Sequence, residues 1–274
     1  MNFGVSTMVV ADLPFEEGMG KIARAGFTQV ELTAWGRPSE FWMKEPERAR
    51  ELLAAKGLRA LTVHSDGWDN DSPDDAARRA SIELASSAFA PAARVGAGTV
   101  IVHPNCRETH DFAEGDRREN AARSIESLKE LAARAKAAGV RPALENMPAR
   151  RSPRPGARVA DLVEMIAGIA PEIGICIDAG HANCNELSAA DEVRAAGARV
   201  FAVHIQDNDG LGEDQHLFPG VGTTDWAAFL AALRECAPSC LCNFEVPALN
   251  NDPDATLAAL AAIAKKWNGS PRKA

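Results

Sequence analysis

Residues 173–181 read Ile173-Gly174-Ile175-Cys176-Ile177-Asp178-Ala179-Gly180-His181. A short apolar run, rich in branched side chains and closed by an acid, predicts a buried strand over Ile173–Asp178. Side chains alternate across a strand, so Asp178 shares a face with Cys176 while Ile177 points to the other side. The same pattern recurs outward in both directions. Strands are expected at Phe3–Ser6, Gln29–Thr33, Arg59–His64, Thr99–His103 and Arg141–Glu145 before it, and at Val200–Ile205 and Cys240–Val246 after it.

Between these runs lie Ala-, Leu- and Arg-rich stretches of helical period: Phe15–Ala25, Pro46–Lys56, Asp74–Val95, Arg117–Ala138, Val159–Ile169, Ala189–Ala196, Trp226–Glu235 and Asp254–Lys266. Several end at a glycine suited to a helix C-cap: Gly26, Gly57, Gly96, Gly139 and Gly197. Strict alternation of strand and helix predicts an α/β protein, a single (β/α)8 barrel over residues 1–267 followed by a short polar tail, 268–274. The open doubly wound sheet would carry a Gly-rich phosphate loop after its first strand, and Ser6-Thr7-Met8-Val9 stands there instead.

Function is written at the strand ends. His64, His103, Glu145, Asp178, His204 and Glu245 close or nearly close six successive strands, and in a parallel barrel those ends meet on the face where active sites are built. Two residues back on each strand stand Thr62, Ile101, Ala143, Cys176, Ala202 and Asn243, mostly small or polar. The intervening Val63, Val102, Leu144, Ile177, Val203 and Phe244 are expected to pack outward against the helices. Carboxylates gathered inside a barrel are costly without compensation, and a divalent cation is the simplest one. Mixed carboxylate and imidazole ligation by Glu145, Asp178, His204 and Glu245 suits Mn²⁺, Mg²⁺, Co²⁺ or Zn²⁺.

The chain of 274 residues is 46% hydrophobic and 25% charged, enough for a large core, and its net charge of −8 weighs against binding nucleic acid. No segment approaches the apolar length of a membrane span, and the first residues do not read as a signal peptide, so a cytoplasmic protein is expected. Its six cysteines (106, 176, 184, 236, 240 and 242) lack paired zinc-site spacing and are expected to be reduced and structural.

The segments Leu144-Glu145-Asn146, Ile177-Asp178-Ala179-Gly180-His181, Val203-His204-Ile205-Gln206-Asp207-Asn208, Asp214-Gln215-His216-Leu217, Gly220-Val221-Gly222 and Phe244-Glu245-Val246 resemble the xylose-isomerase-like TIM barrel superfamily. Val30-Glu31-Leu32 and His103-Pro104 extend the similarity over essentially the whole chain. That superfamily holds sugar isomerases and epimerases, inosose dehydratase-type lyases and the apurinic endonuclease IV family. Within the ketose epimerases, the resemblance implies one metal, manganese or cobalt, held by Glu145, Asp178, His204 and Glu245. Glu145 and Glu245 would then be the proton-transfer pair, the metal would stabilise ene-diolate charge as a Lewis acid, and His181 would contact substrate. Those epimerases also carry a substrate-holding Arg beyond the strand-seven His, whereas no Arg occurs here between Arg199 and Arg234. Within the endonucleases, His64, His103, Glu145, Asp178, His181, His204, Asp214, His216 and Glu245 follow the ligand order of a three-zinc phosphodiesterase site.

The reading preferred on these grounds is a metal-dependent isomerase or epimerase of a small keto sugar or polyol derivative. A multi-zinc phosphodiesterase and a metal-dependent lyase on an oxidised sugar are its alternatives. His64, His103, His181, Asp214 and His216 are assigned to substrate or an additional metal, with Asp214 and His216 carried across the barrel mouth by the long segment Gln206–Thr224. Trp35, Trp68 and Arg150 are assigned to substrate contact. Arg150 belongs to a basic loop with Arg151, Arg154 and Arg158, suited to an anionic group. A small carbohydrate is the expected partner, and the resemblance leaves a homo-oligomer open.

Overall fold

The computed structural model describes residues 1–104, 114–148, 155–169 and 171–269, the side chains of 114–116 excepted. Eight strands close into one parallel barrel in chain order: β1 (Phe3–Ser6), β2 (Gln29–Thr33), β3 (Arg59–His64), β4 (Thr99–Val102), β5 (Arg141–Glu145), β6 (Gly174–Asp178), β7 (Val200–Ile205) and β8 (Leu241–Phe244). Closure is made by β8 lying beside β1, with Phe3 opposite Cys242 and Val5 opposite Phe244. Around the barrel run helices α1 (Phe15–Arg24), α2 (Arg37–Trp42), α3 (Pro46–Ala55), α4 (Asp75–Ser87), α5 (Phe89–Val95), α6 (Glu114–Ala138), α7 (Val159–Met165), α8 (Ala179–Cys184), α9 (Ala189–Ala196), α10 (Trp226–Cys236) and α11 (Pro253–Gly269).

The strand alternation sorts the core into two bodies. Val63, Val102, Leu144, Ile177, Val203 and Phe244 are fully buried in the large core between barrel and helices. Ile101, Ala143, Cys176 and Ala202 form a separate cluster inside the lumen. That plug floors the barrel beneath the strand ends, so whatever enters from the mouth stops at the ionisable layer.

Three departures from the expected elements have local causes. The helix expected over Asp74–Val95 breaks at Ala88, between α4 and α5. Pro91 has no N–H for the Ser87 carbonyl, and Ser86 and Ser87 turn their hydroxyls back to the carbonyls of Glu83 and Leu84. Helix α2 is too short to show a period; Gly36, at φ 75°, admits the turn into it, and the buried Trp42 indole donates to Thr33 O at 3.0 Å. Helix α8 begins directly on the end of β6 because Asp178 is also its N-cap, accepting from His181 N at 2.7 Å. The last helix continues through Asn268 and Gly269, the first two positions assigned to the tail, and 270–274 lie outside the described residues. Cys176, Cys184, Cys236, Cys240 and Cys242 are free thiols.

Candidate active site

Glu145, Asp178 and His204 stand at or next to the ends of β5, β6 and β7, and Glu245 follows β8, its N–H bonded to Ile205 O at 3.1 Å. All four side chains are buried, and one ligand atom from each lies within 4.8 Å of the others. His64, Glu145 and His204 form a second such group, and His181, Asp214 and His216 a third. His103 follows β4 and sets Nε2 3.2 Å from Glu145 Oε2.

The imidazoles are aimed by what their outer nitrogens touch. His64 Nδ1 lies 3.1 Å from Ser65 O, His181 Nδ1 2.7 Å from Asn146 O and His216 Nδ1 2.8 Å from Glu245 O. A carbonyl can only accept, so the proton sits on Nδ1 in each and Nε2 faces the cavity. His204 is reversed. Its Nε2 faces Glu31, and its Nδ1 lies 2.9 Å from Glu145 Oε1 and 3.3 Å from Glu245 Oε2.

Burial disfavours a charged His204, yet its carboxylate neighbours, foremost Glu245, Glu31 and Glu145, hold its pKa well above the ordinary range. Glu145 is pressed upward by burial but held well below the usual carboxylate range by the surrounding imidazoles, His204 first among them. Burial dominates at Asp178, aided by Glu145, Glu245 and Asp214, and lifts it to about 7 against the pull of His181. Burial also lowers His103 to about 4, whereas at His216 burial is outweighed by the bond to Asp214 together with the charges of Asp214, Glu245 and Asp178, which raise it to about 10. Buried Asp178 Oδ2 makes no hydrogen bond among the described residues, and Glu145 Oε2 is approached only by the imidazoles of His103 and His64, at 3.2 and 3.3 Å. Imidazole nitrogens and carboxylates converging on one point, an Asp178 oxygen without a hydrogen bond and a buried acid near neutrality all favour a cation at this position. The donor set fits a divalent metal of oxygen and nitrogen preference.

A cavity of about 310 Å³ opens above these groups, walled by Met8, Trp35, Trp68, Met147 and Pro148. Trp68 stacks on His103 with centroids 3.7 Å apart, and Trp35 meets His64 edge-on at 4.7 Å. Both tryptophans assigned to substrate contact therefore line the cavity. Arg150, with Arg151 and Arg154, lies outside the described residues; Arg158 is exposed at the start of α7.

Four polar residues carry supporting roles that the strand-end reading did not assign. Asn146 brackets Asp178, accepting from its N–H at 2.7 Å and donating to its carbonyl at 3.1 Å. Gln206 joins two groups, donating to Asp178 Oδ1 at 3.1 Å and to Asp214 Oδ1 at 2.8 Å. Asp207 accepts from the N–H groups of Asn208, Gly220, Gly222 and Thr224 and from the Trp226 indole, tying down both ends of the loop that carries Asp214 and His216. Glu31 on β2 is fully buried in the lumen. Its signal in the sequence was parity: Gln29, Glu31 and Thr33 make one face of β2 polar.

His216 itself holds a left-handed backbone, φ 47°. Such a conformation is uncommon for a residue other than glycine and concentrates at functional sites.

A closed parallel barrel with a cavity at the carboxyl ends of its strands has the architecture of a barrel enzyme. The chain belongs to the xylose isomerase-like TIM barrel family, whose sequence profile matches residues 19–266. Among similar proteins, an uncharacterised protein of Methanocaldococcus jannaschii is 26% identical over 242 residues, 86% of this chain and 80% of that one. The D-psicose 3-epimerase of Enterocloster bolteae is 27% identical over 236 residues, 81% of this chain and 73% of that enzyme. Among solved structures, a D-tagatose 3-epimerase-like protein superposes with a TM-score of 0.83 at 25% identity, over 98% of this chain and 97% of that one. The IolI protein, solved with a zinc atom, superposes with a TM-score of 0.81 at 18% identity, over 98% and 96% of the two chains, which shows the shared fold. Among the described residues no helix is long and apolar enough to cross a membrane.

Proposed function

We propose that the protein is a divalent-metal-dependent isomerase or epimerase of a small keto sugar or polyol derivative. The observation that carries this reading is the convergence of Glu145, Asp178, His204 and Glu245 beneath a cavity of sugar size. The epimerase relatives support it. Glu145, Asp178, His204 and Glu245 would hold the metal, for which Mn²⁺ is preferred and Zn²⁺, Mg²⁺ or Co²⁺ would also suit the donors. A bound divalent cation supplies Lewis-acid stabilisation of negative charge on the substrate oxygens.

The remaining chemistry belongs to the chain. Glu145 and Glu245 both reach His64 and His204 but come from β5 and from the end of β8, so they approach the cavity from different sides. One removes the proton beside the carbonyl and the other returns it, and return to the opposite face inverts that carbon. Trp35 and Trp68 offer apolar faces to a sugar ring, and His181 and His216 offer imidazole nitrogens to its hydroxyls.

The test is to strip the protein with chelator, reload it with Mn²⁺, Co²⁺, Zn²⁺ or Mg²⁺ separately, and follow a panel of ketopentoses and ketohexoses by NMR. Metal-dependent conversion at constant product mass is expected. Loss of water or of an aglycone would instead mark the lyase alternative.

The multi-zinc phosphodiesterase reading draws on one specific observation. His181 and His216 both set Nε2 3.2 Å from Asp214 Oδ2, which makes a ligand group separate from the strand-end set. About three zinc ions per chain, with cleavage of an abasic duplex, would favour it over the epimerase.

A further inference from the structure

His204 differs from the other oriented imidazoles of the site in what holds it. His64, His181 and His216 are aimed by main-chain carbonyls. His204 has a carboxylate in that place: Glu31 Oε1 and Oε2 lie 3.1 and 3.2 Å from its Nε2. The two residues are far apart in the chain, and β2 and β7 are not neighbours in the sheet. Their contact spans the lumen, and both side chains are fully buried.

Glu31 is itself held. Asn243 Nδ2 donates to Glu31 Oε2 at 3.2 Å and to Thr62 Oγ1 at 2.9 Å. Asn243 and Thr62 sit one layer below Glu245 and His64, on the same inward faces of β8 and β3. A layer of Glu31, Thr62 and Asn243 thus lies directly under the strand-end groups, and its one charged member points at His204.

We propose that Glu31 is a positioning residue for His204: it accepts the Nε2–H and thereby presents Nδ1 to the metal position between Glu145 and Glu245. The inference rests on the metal-dependent reading of the site. With the proton held on Nε2, Nδ1 is the nitrogen turned to Glu145 and Glu245, and a cation between the three groups would take the place of the proton that otherwise bridges them. A carboxylate behind a ligating imidazole fixes the ring and its tautomer and raises its basicity, and loss of such a partner typically costs about 10- to 100-fold in metal affinity. Glu31 does not touch the cavity and is no part of the proton-transfer chemistry.

The test uses the full-length protein freed of metal and titrated with Co²⁺, with affinity measured by chelator competition and ligand geometry by the visible absorption of the bound ion. E31A is expected to bind Co²⁺ about 10- to 100-fold more weakly with an altered spectrum. E31Q keeps the shape and an accepting oxygen but not the charge, and is expected to fall between E31A and the wild type. A melting temperature that falls while Co²⁺ affinity and spectrum stay at wild-type values in both variants would overturn the proposal, since that is the signature of a merely structural residue. Should E31A fail to fold, E31Q decides: wild-type affinity in E31Q overturns the assignment. Wild-type protein that takes up no Co²⁺ would overturn the metal reading beneath it, a result distinct from equal binding by all three proteins.

Discussion

Two groups of ligand-type side chains share one cavity and are held in opposite ways. Glu145, Asp178 and His204 ride on strand ends whose positions are set by the barrel, and Glu245 is pinned to β7 by its own N–H. Asp214 and His216 ride on the loop after β7, and His181 on the first turn of α8. The strand-held group inherits the rigidity of a closed sheet. The loop-held group borrows its rigidity from Asp207, Gln206 and Asn146, so its geometry can be loosened without disturbing the barrel.

The largest effect is expected at the strand-held pair. E145Q and E245Q should each lower turnover by about 10²- to 10⁴-fold in steady-state kinetics with the metal-loaded enzyme. Wild-type turnover in both would remove the proton-transfer assignment. Substitution in the loop-held group tests whether the comparison is also a division of labour. H181A and H216A should retain metal in the strand-held position and act mainly on KM, whereas a stoichiometric loss of metal by elemental analysis would make the loop group a metal site in its own right.

Asp207 probes the borrowed rigidity. Burial raises the pKa of its carboxyl, but the Trp226 indole and the loop N–H groups outweigh that and hold it below the ordinary value. A depressed carboxylate contributes stability that is present above its unfolded value, about 3.9, and is lost as the pH falls through the folded one. D207N should therefore be less stable than the wild type at pH 7, by about 1–3 kcal/mol for bonds to a charged acceptor, and melt at a lower temperature. That gap should narrow below about pH 4 as the wild-type carboxylate protonates, and thermal melts across pH 3–8 would show it.

The smallest effect is expected at the rim. W68A removes the ring stacked on His103 and should raise KM several-fold with little change in kcat. Equal loss in both would mean that Trp68 aligns the reacting groups rather than the substrate.

The contrast between the groups also explains which of them the sequence alone makes legible. Period-two parity separates Asp178 from Ile177 by elementary strand geometry, and the same rule put Cys176 and Ala202 inside and Val203 outside. Parity spoke equally for Glu31, but a mid-strand acid is not at a strand end and so received no role. Asp214 and His216 have no such rule: their approach to His181 depends on a loop path fixed by the distant donors on Asp207, and only family resemblance pointed to them. The helix break at Ala88 was legible in Pro91, but helical composition on both sides masked it.

The stacking of Trp68 on His103 and the edge-on contact of Trp35 with His64 have an optical consequence. The chain has five tryptophans and no tyrosine, so its ultraviolet emission comes from indoles alone, and two of the five stand in the wall of the cavity. The protein thus carries its own fluorophores at the mouth of the barrel, and occupancy there can be followed by emission intensity without any added label.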